Sequence, residues 1–325
     1  MKKSINILII GAGQIGSKHL QGALKSYNKL LITIVDPSLN SLKVSKKSAK
    51  KIVLGNIGST VKYRQKLPKN KNFEICIIST NADVRAKVTR ELLLHCRIKY
   101  IIFEKILFQK NTDYEIISKL LKEKNIKAWV NCPNRTYLFY KKIKNKLDII
   151  DEVVEMDVNG SSWGMACNSI HYIDLFSYLV SSSNIKIVNK NLSNNILNNK
   201  RGRNFYEVNG SLEFKIANHS LKITCKDSTK TFINVRIKNK NIEFFIDELG
   251  KILKTNVNGL TNIKNITIPY ISSTTAKLID NLIDKNKCDL SLFSDSCKYH
   301  LVILSEFTKH FSQIFKKKLI QCPIT

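Results

Sequence analysis

Ile5-Asn6-Ile7-Leu8-Ile9-Ile10-Gly11-Ala12-Gly13-Gln14-Ile15-Gly16-Ser17-Lys18-His19, close to the start of the chain, decides the fold. The apolar run at 5–10 suits a strand buried on both faces of a parallel sheet. Three glycines follow at once in G-x-G-x-x-G spacing, and a helical pattern opens at Gln14. Each glycine has its own physical reason. Gly11 permits a tight turn, a side chain at Gly13 would hold the backbone away from a pyrophosphate, and Gly16 lets the helix pack on the strand. The helix N-terminus adds free N–H groups and a partial positive charge for phosphates. Asp36 ends the next apolar run (31–35), 20 residues after Gly16. An acid at that place accepts hydrogen bonds from an adenosine ribose. A lone glycine motif also reads as a plain turn, but here strand, glycines, helix, second strand and acid come in order. The expected cofactor is NAD. NADP is the second choice, because Asp36 repels a 2′-phosphate while Ser38 and Lys43 leave room for one.

Outward from this motif, residues 1–131 alternate strands with helices. Strands are expected at 5–10, 31–35, 52–54, 74–79, 100–103 and 128–130, and helices at 14–27, 81–95 and 112–124. That alternation indicates βαβ units and a doubly wound parallel sheet. After Asn131 the texture changes. One helix is expected at 168–179, then consecutive strands at 185–188, 206–216, 221–225, 231–237 and 242–246, and closing helices at 274–283 and 293–315. Strands in succession imply a mainly antiparallel sheet. The expected domains are therefore 1–131 for the cofactor and 132–325, an α+β unit, for substrate and oligomer contacts. Residues 194–203 are polar enough to read as a loop.

The net charge of +29 raises a nucleic-acid partner as one reading. Of the 54 basic residues only eight are Arg, the preferred residue for bidentate phosphate contacts, and the lysines are spread evenly. No nucleic-acid partner is expected; the field serves better to attract an anionic substrate or cofactor. The eight cysteines form no C-x-x-C pair and have no clustered histidines, so neither a metal site nor a disulfide framework is expected. Apolar runs fall short of a membrane span. Met1-Lys2-Lys3-Ser4 is followed by too short an apolar stretch for a signal peptide. The chain is expected in the cytoplasm, with no membrane partner.

Further candidates stand at strand ends. Glu104-Lys105 follows the fifth expected strand and Thr80-Asn81 the fourth, and carboxyl ends of parallel strands face the ligand crevice. A solvated loop pair is the plainer reading of Glu-Lys. Asn168, His171 and Asp174, each three apart, form a polar stripe on an otherwise apolar helix. An imidazole beside a carboxylate can be oriented and kept basic for proton transfer, although a core histidine is the plainer reading. Arg135 could receive a carboxylate or phosphate.

In these motifs the chain resembles the glucose–fructose oxidoreductase / inositol dehydrogenase / MocA (Gfo/Idh/MocA) family. The glycine motif with its trailing His19, Glu104-Lys105-Ile106 against the family's Glu-Lys-Pro, and the His171-Tyr172-Ile173-Asp174 helix match in order. The resemblance implies a Rossmann domain and a second domain with a large open sheet that joins dimers or tetramers. It implies hydride transfer between nicotinamide and a hydroxyl or ketone carbon of a sugar, sugar acid or nucleotide sugar. It would make Lys105 a contact to substrate and nicotinamide, and His171 the acid/base. Asn168 would contact substrate, and Asp174 would orient His171. Ile106 replaces the family's Pro. Cys167 stands where some cyclitol dehydrogenases carry an acid, which disfavours cyclitols. Trp163-Gly164 and the final Pro323-Ile324-Thr325 are similar to members engaged in bacterial surface-sugar synthesis. The rival reading is a cofactor-binding regulator that has lost catalysis.

Overall fold

The structure, a computed structural model, describes residues 4–149, 152–199, 201–202 and 204–325. It divides into two compact units. Residues 1–3, part of the stretch read above as no signal peptide, and Lys200 and Arg203, in the expected loop, lie outside the described residues.

The first unit is built from β1 (Ile5–Ile10), α1 (Gln14–Leu24), β2 (Leu30–Val35), α2 (Leu39–Ala49), β3 (Thr60–Arg64), β4 (Lys71–Ile78), α3 (Ala82–His95), β5 (Cys96–Phe103), α4 (Asn111–Glu123) and β6 (Lys127–Val130). The first six strands pair in parallel in the order β6-β5-β4-β1-β2-β3. The strand order reverses between β1 and β4, the switch point where such sheets bind ligands. Ile7 to Ile10 and Ile75 to Ile78 are all buried, as strands covered on both faces must be.

The third strand is not at 52–54, which has no regular structure and leaves Val53 88% exposed. It is β3, an edge strand whose exposed Thr60, Lys62 and Arg64 alternate with half-buried Val61 and Tyr63, so its apolar signal is weak. Helix α2 also escapes the hydrophobic pattern, because it is rich in Lys and Ser; Ser38 caps it by accepting from the Ser41 N–H.

The second unit contains a 3₁₀ turn (Pro133–Thr136), α5 (Leu138–Ile149), β7 (Glu155–Ser161), α6 (Met165–Leu179), β8 (Ile185–Asn198), β9 (Tyr206–Ile216), β10 (His219–Lys226), β11 (Phe232–Lys238), β12 (Ile242–Asp247), β13 (Ile252–Val257) and β14 (Leu260–Asn265). Its sheet runs β14-β13-β12-β11-β7-β10-β9-β8, antiparallel except between β7 and β10. In β12, Ile242, Phe244 and Ile246 point into the core and alternate with half-exposed residues. The segment expected as a loop at 194–203 is strand as far as Asn198.

Two elements close the chain differently from expectation. Helix α7 (Ile271–Lys285) and the short β15 (Ser291–Leu292) belong to the first unit, whereas α8 (Phe293–Ile314) belongs to the second from Ser294 onward. The physical reason is the apolar stripe Leu278, Ile279 and Leu282, which α7 buries against the first unit's core. Each such side chain contributes roughly 1.5–3 kcal/mol when buried. Gly22 permits the contact with α1: a Cβ there would stand 2.6 Å from the Ser272 carbonyl oxygen. β15 pairs antiparallel with β6 and completes a seven-stranded sheet.

Candidate active site

In the first unit the candidate residues gather at the carboxyl ends of β1, β2, β4 and β5. Gly11 has φ +95°, a conformation open to glycine, and its N–H donates to the Val35 carbonyl at 2.8 Å. A Cβ at Gly16 would lie 1.8 Å from the Gly11 carbonyl oxygen, so α1 can approach β1 only with glycine there. Gly13 differs: a Cβ on it would meet nothing within 4 Å. Gly13 is the N-cap of α1, with no side-chain cap and no acid in the first turn. The first N–H groups of this 11-residue helix therefore face an open cradle, with Gln14 exposed and Ile15 half-buried beside it. That is the shape and polarity a dinucleotide pyrophosphate requires.

Asp36 stands beside this cradle. Its Oδ2 accepts from the Ala12 N–H at 2.7 Å and its Oδ1 from the Ser38 N–H at 2.8 Å. The carboxylate is half-exposed and has lone pairs left for ribose hydroxyls. At the end of β4, Thr80 is half-buried and Asn81 exposed; the Thr80 hydroxyl has no hydrogen-bond partner among the described residues.

Glu104 and Lys105 follow β5 directly, and the Lys105–Ile106 peptide is cis. They are not a solvated pair: Glu104 is 8% and Lys105 6% exposed, and Ile106 is fully buried in the place of the proline. The Glu104 carboxylate, expected to contact cofactor, faces the protein. Its Oε1 meets His19 Nε2 at 2.9 Å and accepts from the Asn131 amide. His19 in turn bonds Thr275 of α7 through Nδ1 at 2.8 Å. Burial by itself raises the Glu104 carboxyl. The His19 hydrogen bond and charge, the Asn131 amide and the Arg85 charge together outweigh it and hold Glu104 below the ordinary carboxylate value. Glu104 thus bolts the glycine-motif helix to the Lys105 loop.

In the second unit, α6 is buried along most of its length, and Gly164, Asn168, His171 and Tyr178 form its half-exposed face. Asn168 Nδ2 donates to the Trp163 carbonyl at 2.8 Å. Asp174 is fully buried and receives Arg135 Nε at 2.8 Å, while an Arg135 Nη donates to the Asp174 carbonyl at 3.1 Å. The structure therefore joins two candidates to each other. Arg135, expected to await a substrate anion, carries the charge that a buried carboxylate requires.

Two residues were invisible from spacing. Glu207 of β9 caps α6, its Oε2 accepting from the Ala166 and Cys167 N–H groups at 2.9 and 3.3 Å. Arg85 of α3 reaches the loop that carries Lys105. Neither has a sequence signal, since Glu207 meets α6, and Arg85 the loop after β5, across long separations in sequence. Among the described residues, no group of three His, Cys, Asp or Glu side chains is placed to hold a metal ion. No helix among them is long and apolar enough to cross a membrane.

Residues 5–132 match the model of the oxidoreductase family with NAD-binding Rossmann fold, GFO_IDH_MocA. No curated protein matches the sequence. Similar solved structures cover nearly the whole chain at low identity. A dehydrogenase (MviM) from Clostridium difficile has TM-score 0.68 and 16% identity, over 94% of this chain and 98% of its own. A super-repressor mutant of Gal80p from Saccharomyces cerevisiae has TM-score 0.70 and 14% identity, over 96% and 97%. KijD10, a 3-ketoreductase from Actinomadura kijaniata in complex with NADP, has TM-score 0.67 and 9% identity, over 93% and 96%.

Proposed function

We propose that the chain, whose residues 5–132 match the model of the oxidoreductase family with NAD-binding Rossmann fold, is an NAD-dependent dehydrogenase or reductase acting on a hydroxyl or ketone carbon of a sugar, sugar acid or nucleotide sugar. One observation carries the reading: the open cradle at Gly13 lies at the strand-order switch, and a buried Lys105 follows β5 in the same sheet.

The nicotinamide, when bound, supplies or accepts the hydride. Gly11, Gly13, Gln14, Ile15 and Gly16 would hold the pyrophosphate and Asp36 the ribose, and Thr80 and Asn81 would contact the cofactor. The Lys105 ammonium hydrogen-bonds the reacting oxygen and stabilises negative charge as it develops. His171 takes the hydroxyl proton during oxidation and returns it during reduction. Asn168 binds a substrate hydroxyl. The Asp174–Arg135 pair fixes the turn of α6 that presents His171, so Asp174 orients the imidazole through the helix.

The 3-ketoreductase among the similar structures supports carbonyl chemistry of this kind. Trp163-Gly164 and Pro323-Ile324-Thr325 support a place in surface-sugar synthesis. The open sheet is the proposed dimer or tetramer surface, and the cytoplasm the proposed compartment.

A panel of sugars, sugar acids and nucleotide sugars with NAD or NADH, followed by cofactor absorbance, tests the activity. Turnover on at least one class, abolished in His171→Ala, is expected. A second reading, a regulator without chemistry, is favoured by the Gal80p likeness. Tight NADH binding with no turnover across the panel would establish it.

A further inference from the structure

Arg85 lies in α3 and is 2% exposed. Burying a guanidinium is costly unless its donors are matched. Here its Nη1 donates to the carbonyls of Glu104 at 2.7 Å and Leu107 at 2.9 Å, and also to that of Ile106. Its Nη2 donates to the carbonyl of Thr80. One side chain thus holds two loops, the one after β4 and the one after β5. A rigid planar fork of donors suits several carbonyls in fixed directions, as a lysine would not. Tyr114 closes the far end of the second loop, its hydroxyl donating to the Phe108 carbonyl at 3.0 Å. Residues 104–109 are all buried. The main chain on both sides of Lys105 is therefore pinned to α3.

An arginine that only filled out a core could satisfy carbonyls anywhere. These carbonyls belong to, or flank, the first-unit candidates Thr80, Glu104 and Lys105. We infer that Arg85 is a positioning residue for Lys105: its guanidinium sets the backbone path that presents the Lys105 ammonium and ties it to the Thr80 end of β4. The inference rests on the role proposed for Lys105. Displacing a reacting group by about 1 Å costs on the order of 100-fold in rate, which gives the tether its value.

The test uses full-length wild type, Arg85→Met and Arg85→Lys. Each is labelled with limiting acetic anhydride, with and without NADH, and acetylation is read at single lysines by mass spectrometry. Loosening the loop in Arg85→Met should raise labelling of Lys105 about tenfold, as local opening does. Labelling of Lys119, exposed on α4, should not change. NADH affinity should stay within about threefold. On any substrate that wild type turns over, kcat should fall while KM holds. Arg85→Lys, whose single ammonium reaches fewer carbonyls, should be intermediate, and it carries the test if Arg85→Met does not fold. Unchanged Lys105 labelling in a folded variant, or an equal rise at Lys105 and Lys119, would overturn the inference. Failure of wild type to bind NADH would count against the cofactor reading instead, and the labelling comparison without NADH would still decide the role of Arg85.

Discussion

Gly13 and Gly16 are glycines for opposite reasons, and the difference is measurable. A methyl at Gly16 collides with the Gly11 carbonyl, so Gly16→Ala should destabilise the fold by about 1–3 kcal/mol in denaturant unfolding. A methyl at Gly13 meets no protein atom. Gly13→Ala should therefore leave stability within about 0.5 kcal/mol. It should weaken NADH binding about tenfold or more, because the space it fills is the one proposed for the pyrophosphate. Lys105→Ala should lower turnover roughly 100- to 1000-fold and leave NADH affinity nearly intact. Glu104 gives a pH signature. Its folded-state pKa lies below the ordinary value of 4.5, so its contribution is complete above that value. The contribution is lost as pH falls through the folded value. The stability gap between wild type and Glu104→Gln should be constant near neutrality and close in acid, as read by urea unfolding across pH. The glycines and the acid at 36 were legible because backbone geometry dictates them locally. The inward turn of Glu104 was not, because His19 and Asn131 reach it from distant segments.

At the scale of elements, the long apolar runs and strict alternations read true: β1 and β9 stand at the expected residues. The edge strand β3 and the lysine-rich α2 did not, since neither buries enough apolar surface to leave a pattern. Helix α6 shows how far spacing carries. Asn168 and His171 do share its half-exposed face, but Asp174 is buried against Arg135, a partner 39 residues away. Removing Arg135 leaves a carboxylate in the core without that cation. Arg135→Met should cost about 3–5 kcal/mol in denaturant unfolding, and the double variant Arg135→Met/Asp174→Leu should recover most of it. A loss below 1 kcal/mol in the single variant would show that the pair does not anchor α6.

At the scale of the whole molecule, the split into a parallel and a mainly antiparallel sheet follows from where helices stop alternating with strands. The return of residues 269–293 to the first unit was not legible, because an amphipathic stripe shows that a helix is buried but not which core receives it. The charge of +29 would act as a field that draws a dinucleotide, itself an anion, toward the proposed cradle. A fluorescence titration of wild type and Asp36→Ala with NADH and NADPH probes the dinucleotide site itself. The expected result is that wild type binds NADH more tightly than NADPH and that Asp36→Ala loses this preference. Absence of binding to either nucleotide by folded wild-type protein would contradict a dinucleotide site at the glycine motif.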